Sequence, residues 1–426
     1  MITRAKPMAL ARVTSRGKVS NNAICVLLAF ALVANVIPYF RGETFEDAVW
    51  LHDAALSWQI VSIAALMLAA ILFGRFQIGK NETLRLAAGP FTSYLFLNSL
   101  VSESLDISLL YTGTFLFVIM LIGIIRLAAS DWLRVFRFTS LLLVAMVIFL
   151  ISTKTLVDRY VGAIHPNMMG TWILVMAILA TAWQNWLRWF IFIVALVVGF
   201  MVESRFSCLA VLLFVASFEF LITVHTPRRV LMFIIAIGFI GLVAGSAILT
   251  FVEGEGPRSL AEGGISGRVD LWDESSLRIS EHPFFGSGFR STLVTYDISH
   301  SGFLTLCEEL GMVGIGLFFV LITVRGAELI RAHRCSDGRD TQRLCSILVA
   351  GLIADIVPFA FQPNYLNFGD PLGLLILLIL FLEIRSPSKT ETDLRSIPLR
   401  GGARQITDLR HGRRAPRRHA GCSPKR

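Results

Sequence analysis

Long apolar runs separated by short polar breaks set the first reading of this chain. Runs such as LLLVAMVIFL (141–150) and VLMFIIAIGFIGLVAGSAIL (230–249) are longer than ordinary strands and lack strand alternation. About 20 apolar residues suffice for a helix to cross a bilayer, where a helix satisfies its own backbone. The pattern predicts an all-α, polytopic integral membrane protein of twelve spans. They fall at roughly 23–40, 55–74, 84–101, 107–129, 136–152, 166–183, 187–202, 206–224, 229–252, 302–324, 343–361 and 370–385. The unbroken runs argue against a membrane barrel, whose strands alternate.

One stretch interrupts the pattern. Between Phe251 and Gly302, Arg, His, Glu and Gly accumulate, as in SGRVDLWDESSLRISEHPFFGSGFRS (266–291). Within it, Gly267–Ser280 predicts an amphipathic helix. Val269, Trp272, Ser276 and Ile279 recur at three- and four-residue spacing, with Arg268 one turn before Trp272 on a similar face. Taken alone this is an interfacial helix with a Trp anchor and snorkelling arginine. Glu281-His282-Pro283 ends it, because proline disfavours helical geometry in the residue before it. Phe284–Phe289 then predicts a tight glycine turn pressed on aromatics, and Gly311, Gly314 and Gly316 permit close packing of the next span.

Composition agrees. Of 426 residues, 55% are hydrophobic and 16% charged, with mean hydropathy +0.68; a soluble domain carries about 25% charged residues. With the N-terminus in the cytoplasm, only Arg41, Lys154, Arg159, Arg205, Arg258, Arg268, Arg278 and Arg290 fall outside, leaving 31 of the 39 Lys and Arg inside. That bias follows the positive-inside rule. It places both termini in the cytoplasm and the polar stretch, about 253–301, on the external face of a bacterial inner membrane. The net charge of +9 is then topology rather than a sign of a nucleic-acid partner. Residues 1–22 form a basic N-terminus, 23–385 the membrane domain, and 386–426 a basic tail read as disordered near anionic lipid. The first apolar run reads as an uncleaved helix. No P-loop, nucleotide fingerprint or zinc spacing occurs. None of the six cysteines falls in an external loop, so no structural disulfide is expected.

Three external residues suit one chemistry. Arg205 opens a span after a link of only Glu203-Ser204-Arg205, Arg268 sits in the long loop, and His300 opens the next span. Arginine holds phosphate oxygens bidentately and keeps its charge; histidine is the usual base near neutral pH. Together they could neutralise a diphosphate leaving group and deprotonate a hydroxyl without a metal. Each also has a plainer role, as headgroup anchor or helix cap. The anchor role is the reading for Arg41, Arg258, Arg278 and Arg290. Glu308 and Glu309, two turns into an apolar span, are either functional or paired with an arginine of a neighbouring helix; Asp355 and Asp370 allow the same two readings.

The segment HSGFLTLCEELGMVGIGLFF (300–319) resembles the His-Asn/Ser-x-aromatic-Leu…Glu-x-Gly-x-x-Gly signature of the O-antigen ligase and polysaccharide polymerase superfamily. SGRVDLWDESSLRISEHPFFGSGF resembles that family's preceding block, Glu203-Ser204-Arg205 its Ser-Arg motif, and HPNMMG (165–170) its His-x-Asn stretch. The resemblance covers about 165–320, the first five spans adding only topology. It implies a metal-independent, inverting membrane glycosyltransferase of the C type. The donor would be an undecaprenyl diphosphate-linked oligosaccharide, with no cofactor and no nucleotide sugar. Arg205 and Arg268 would clamp the diphosphate and His300 would deprotonate the acceptor. Lys154, Arg159 and His165, with Glu308 and Glu309, are secondary candidates. Ser301-Gly302 stands where Asn-Ser or Asn-Gly is commoner.

The family holds two activities: a polymerase extending the growing glycan, with a possible chain-length regulator as partner, and a ligase with lipid A–core as acceptor. The Phe-Gly-x-Gly-Phe turn resembles exopolysaccharide producers and favours the polymerase. A transporter or flippase of lipid-linked sugars is the alternative of another class; such proteins place charges and broken helices at the midplane between related halves, whereas here the charges collect at one face. A metal-dependent transferase on Glu46-Asp47 or Glu253-x-Glu255 ranks lower, because no Asp-x-Asp occurs.

Overall fold

A computed structural model describes residues 22–41, 48–73, 82–125, 127–157, 160–223, 266–292, 301–336, 338–362, 366, 368 and 370–384. Among them the chain is helical apart from one small hairpin. The elements are α1 (Asn22–Phe40, its end 3-10 over Ala34–Phe40), α2 (Ala48–Phe73), α3 (Glu82–Leu100), α4 (Leu105–Ile124), α5 (Ala129–Thr153), β1 (Leu156–Val157), β2 (Tyr160–Val161), α6 (Pro166–Ala180), α7 (Trp186–Met201), α8 (Arg205–Thr223), α9 (Ser266–Glu281), α10 (Gly302–Cys335), α11 (Arg339–Ala354), α12 (Ile356–Phe361) and α13 (Pro371–Phe381). Helices stand at every predicted span except 229–252, which lies outside the described residues together with Glu253-x-Glu255 and Arg258. Among the described residues five helical stretches are long and apolar enough to cross a membrane: Asn22–Phe40, Leu105–Ile124, Ala129–Thr153, Gly302–Cys335 and Arg339–Phe361.

Two short helices form the centre. Apart from its first turn α6 is buried almost throughout, and every residue of α13 is buried. A helix apolar on all sides belongs inside a bundle or against lipid; these two are inside. α5, α7, α8 and α13 pack around α6, and α11 bridges α8 and α10. The outer surface is apolar as well, with Ile60, Ile71, Leu110, Ile193 and Phe200 all exposed. Apolar faces of this extent are untenable in water and suit a lipid environment. The chain is thus an all-α membrane protein.

The two ends of the bundle differ. At one end, arginines close helix C-termini. Arg325 of α10 is fully buried and donates to the carbonyls of Ile379 (2.7 Å) and Leu382 at the end of α13. Arg343 of α11 donates to Thr181 (2.7 Å) and Trp183 just past α6, and Arg137 of α5 to Ala182 (3.0 Å). Cations there satisfy the last carbonyls and meet the negative end of the helix dipole.

At the opposite end helices begin. His165 N-caps α6, its Nδ1 accepting from Asn167 N at 3.1 Å, with Pro166 in the first turn. The start of α8 lies beside that of α6, where Gly170 meets Ser204 and Ser207. Asp370, ahead of α13, is within 3.4 Å of Thr171 Oγ1.

Three local features depart from the sequence-based expectations. The link between the predicted spans 136–152 and 166–183 carries the β1–β2 hairpin, with Leu156 opposite Val161 and Val157 opposite Tyr160. α10 continues to Cys335, well past 324. Cys335 is disulfide-bonded, against the expectation of none, while Cys25, Cys208, Cys307 and Cys345 are free; sequence spacing does not fix a pairing.

Candidate functional site

The polar stretch does form a helix where its spacing predicts one, and α9 ends at Glu281 before Pro283. Its inward stripe runs through Leu271, Trp272, Ser275, Arg278 and Ile279, with Ser275 fully buried. Arg268, described through its backbone, stands one turn earlier at the same register.

The turn after α9 is tied into the membrane-spanning helix itself. α10 is broken at Gly311, whose φ of 62° and ψ of −174° lie in a region that only glycine adopts freely. The break frees carbonyls, and residues 282–291 take them up. Ser287 N donates to Glu308 O (2.8 Å) and Gly288 N to Glu309 O (3.0 Å). In return Met312 N donates to Pro283 O (2.9 Å) and Val313 N to Phe284 O (3.1 Å). Gly286, with φ of 70°, faces Gly311 backbone to backbone. The turn therefore presses on the backbone of α10 rather than on aromatics. Phe284 and Phe285 are exposed; only Phe289 is buried, edge-on to Phe115 at 5.6 Å. Gly311 lies nine residues into α10, about 13 Å at a rise of 1.5 Å per residue, which is nearly half of a hydrocarbon core of about 30 Å.

α3 closes the arrangement from the other side. Tyr94 donates its hydroxyl to Phe285 O (3.1 Å) and Leu310 O. Asn98 donates to Phe285 O (2.6 Å) and Glu309 O (3.3 Å) and accepts from Phe289 N (2.8 Å). α3, which lies before the part of the chain that carries the resemblance, thus supplies side chains to this turn. A lone amide in an apolar span, Asn98 in FLNSL, was the available signal.

Two buried carboxylates complete the cluster. Glu308 accepts from Arg278 Nε at 2.6 Å, and Arg278 also reaches Glu274 at 2.8 Å. Glu309 accepts from Thr292 Oγ1 at 2.6 Å and from the backbone N–H of Arg290, whose charge faces it. Arg290 itself is buried, at positive φ, over the Phe289 ring. The reading of Arg278 and Arg290 as headgroup anchors is therefore overturned: a carboxylate this deep needs a cation or donors, and these residues supply them. For Glu308 the alternative of pairing with an arginine of a neighbouring helix holds.

The remaining candidates lie around the same end of the bundle or outside the described residues. Arg205 is the first residue of α8, described through its backbone. The link before it is a tight helix C-terminus: Glu203 takes the left-handed position (φ 50°), with Ser204 N donating to Gly199 O and Glu203 N to Phe200 O. Ser301 caps α10 by accepting from Leu304 N at 3.4 Å. His300 and Arg159 lie outside the described residues. Lys154 is the C-cap of α5, and His165 is the N-cap of α6 with its ring edge-on to Tyr160. Phe303, near the start of α10, packs on Phe359 of α12, which in turn abuts α8. The starts of α6, α8, α10 and α13 consequently share one end of the bundle. Among the described residues no group of three or more His, Cys, Asp or Glu could hold a metal. No known protein family and no curated protein matches the sequence.

Proposed function

We propose that this chain is a bacterial inner-membrane polysaccharide polymerase of twelve spans with both termini in the cytoplasm. It would transfer glycan from an undecaprenyl diphosphate-linked donor to a sugar hydroxyl on the periplasmic face. The observation that carries the reading is the shared end of the bundle. Arg205 opens α8 there, α10 begins there directly after His300, and α9 brings Arg268 on a helix bonded to α10. Helix N-termini present free N–H groups and a partial positive charge, which suits a diphosphate. In the reaction His300 takes the acceptor hydroxyl proton as the acceptor oxygen bonds the anomeric carbon. The bond from that carbon to the diphosphate oxygen breaks on the opposite face, inverting the centre. Its electron pair leaves with the diphosphate, held by Arg205 and Arg268.

A transporter has one specific point in its favour, the helix broken at depth. In transporters, unwound carbonyls are left to coordinate cargo. Here the carbonyls of Glu308, Glu309 and Leu310 are all bonded within the protein, so the break serves to seat the outer segment. The deciding experiment incubates purified protein with lipid-linked repeat units, with Arg268→Ala as control. Chain growth lost in the variant is expected. No growth, with transfer only once lipid A–core is added, would make the protein a ligase instead.

A further inference from the structure

The arginine-rich end holds more positive charge than its helix termini use. Arg137 and Arg343 reach three successive carbonyls, 181 to 183, so their guanidiniums stand side by side at the end of α6. Arg343 lies over Phe218 (5.6 Å), next to Glu219, which pairs with Arg188 at 3.1 Å. Arg188 stacks on Trp189 at 4.8 Å and Arg137 on Trp183 at 5.7 Å. The three cations are within electrostatic reach of one another, with Glu219 and Asp340 the acids facing Arg343. Against three guanidiniums stand the Glu219 and Asp340 carboxylates and a helix terminus worth about half a negative charge, so the cluster keeps a small positive excess. Arg137 spends Nε on the protein and Arg343 its Nε and Nη2, and each guanidinium has further donors. None of the three is fully buried. Trp183, Trp186 and Trp189 form an aromatic belt at the same level, with Trp186 and Trp189 exposed, as at a lipid headgroup layer.

We infer that Arg137, Arg188 and Arg343 form a site for the phosphate of an anionic phospholipid, seated between α5, α6, α7 and α11. Bidentate guanidinium–phosphate bonding supplies the recognition and the tryptophans the depth. This site is at the opposite end from the proposed transfer chemistry and does not depend on it.

The test titrates full-length protein in neutral detergent with phosphatidylglycerol, phosphatidylcholine or inorganic phosphate, reading thermal stability and lipid retained by native mass spectrometry. Phosphatidylglycerol alone should give a saturable upward shift in melting temperature. In Arg137→Gln/Arg188→Gln its apparent affinity should fall about tenfold or more, as expected for lost charge-assisted bonds. Arg343 is left in place to hold α6. The pair Arg137→Lys/Arg188→Lys, which keeps charge without the fork, should bind with intermediate affinity and guards against misfolding of the Gln pair. Arg331→Gln, exposed on α10, should bind as wild type. An equal shift with phosphatidylcholine, or full affinity in the Gln pair, would overturn the site. The same shift from inorganic phosphate would overturn a lipid as its source.

Discussion

Gly286 and Gly311 are the points where the outer segment meets the spanning helix, and substituting either should detach the two. A Cβ on Gly311 would meet the carbonyl carbon and oxygen of Phe284 and would lie 2.6 Å from Gly286 N. One on Gly286 would meet the corresponding atoms of Glu309 and lie 2.6 Å from Gly311 N. All of these are backbone atoms, which cannot swing aside. If Gly311→Ala keeps the native shape, it bears about 1–3 kcal/mol of strain at its dihedrals plus the overlap. If the turn moves away, four backbone hydrogen bonds are lost at about 1 kcal/mol each. Either way the cost is roughly 3–4 kcal/mol, a melting shift of about 4 °C for a chain of 426 residues. Gly316→Ala, whose Cβ meets nothing within 4 Å, is the control and should be neutral. Limited trypsinolysis read by mass spectrometry should show Gly311→Ala cut after Arg290, which wild type buries. Because both glycines break the same contact, Gly286→Ala/Gly311→Ala should cost clearly less than the sum of the singles. Wild-type stability and protease resistance in Gly311→Ala would refute the close approach.

Arg278→Ala should strand the buried Glu308 carboxylate and destabilise by about 3–5 kcal/mol; Arg278→Leu/Glu308→Leu should recover most of this in a thermal melt, and an unchanged melt for the single variant would contradict the pairing. Arg325→Ala removes a buried guanidinium from the end of α13 and should lower stability by about 3 kcal/mol or more, whereas Arg331→Ala should leave it unchanged. Hydrogen exchange in detergent should show the amides of Ser287, Gly288, Met312 and Val313 protected like helix interiors; rapid exchange there would mean that the break in α10 is open and would restore the transporter reading.

Periodicity made the helices legible, including α9 with its stop at Pro283, but of its expected stripe Trp272 and Ile279 face inward whereas Ser276 is exposed and Ser275 is buried in its place. It failed where hydrogen bonds rather than hydrophobicity decide. The hairpin at 156–161 has two residues per strand, too few to alternate. Arg278 and Arg290 read as anchors in sequence, yet they serve Glu308 and Glu309, because partner choice depends on how the segment folds back. Gly311 was legible as a small residue for packing, but not as the site of a broken helix. A break needs donors for the freed carbonyls, and these come from residues far away in the chain, Tyr94 and Asn98 among them.

The same contacts that stabilise the segment also set where α9 stands on α10. Thr292 is bonded to Glu309, and Ser301 caps the helix that carries Glu309. α9, the helix that carries Arg268, is tied to α10 through the Arg278–Glu308 pair. A flexible segment would give up about 1–2 kcal/mol for each residue it had to order. Building the segment into the break of a membrane helix meets that cost once, in folding. Buried charge is tolerated at Glu308 and Glu309 for the same reason, since it ties the polar outer segment to an apolar helix in one register.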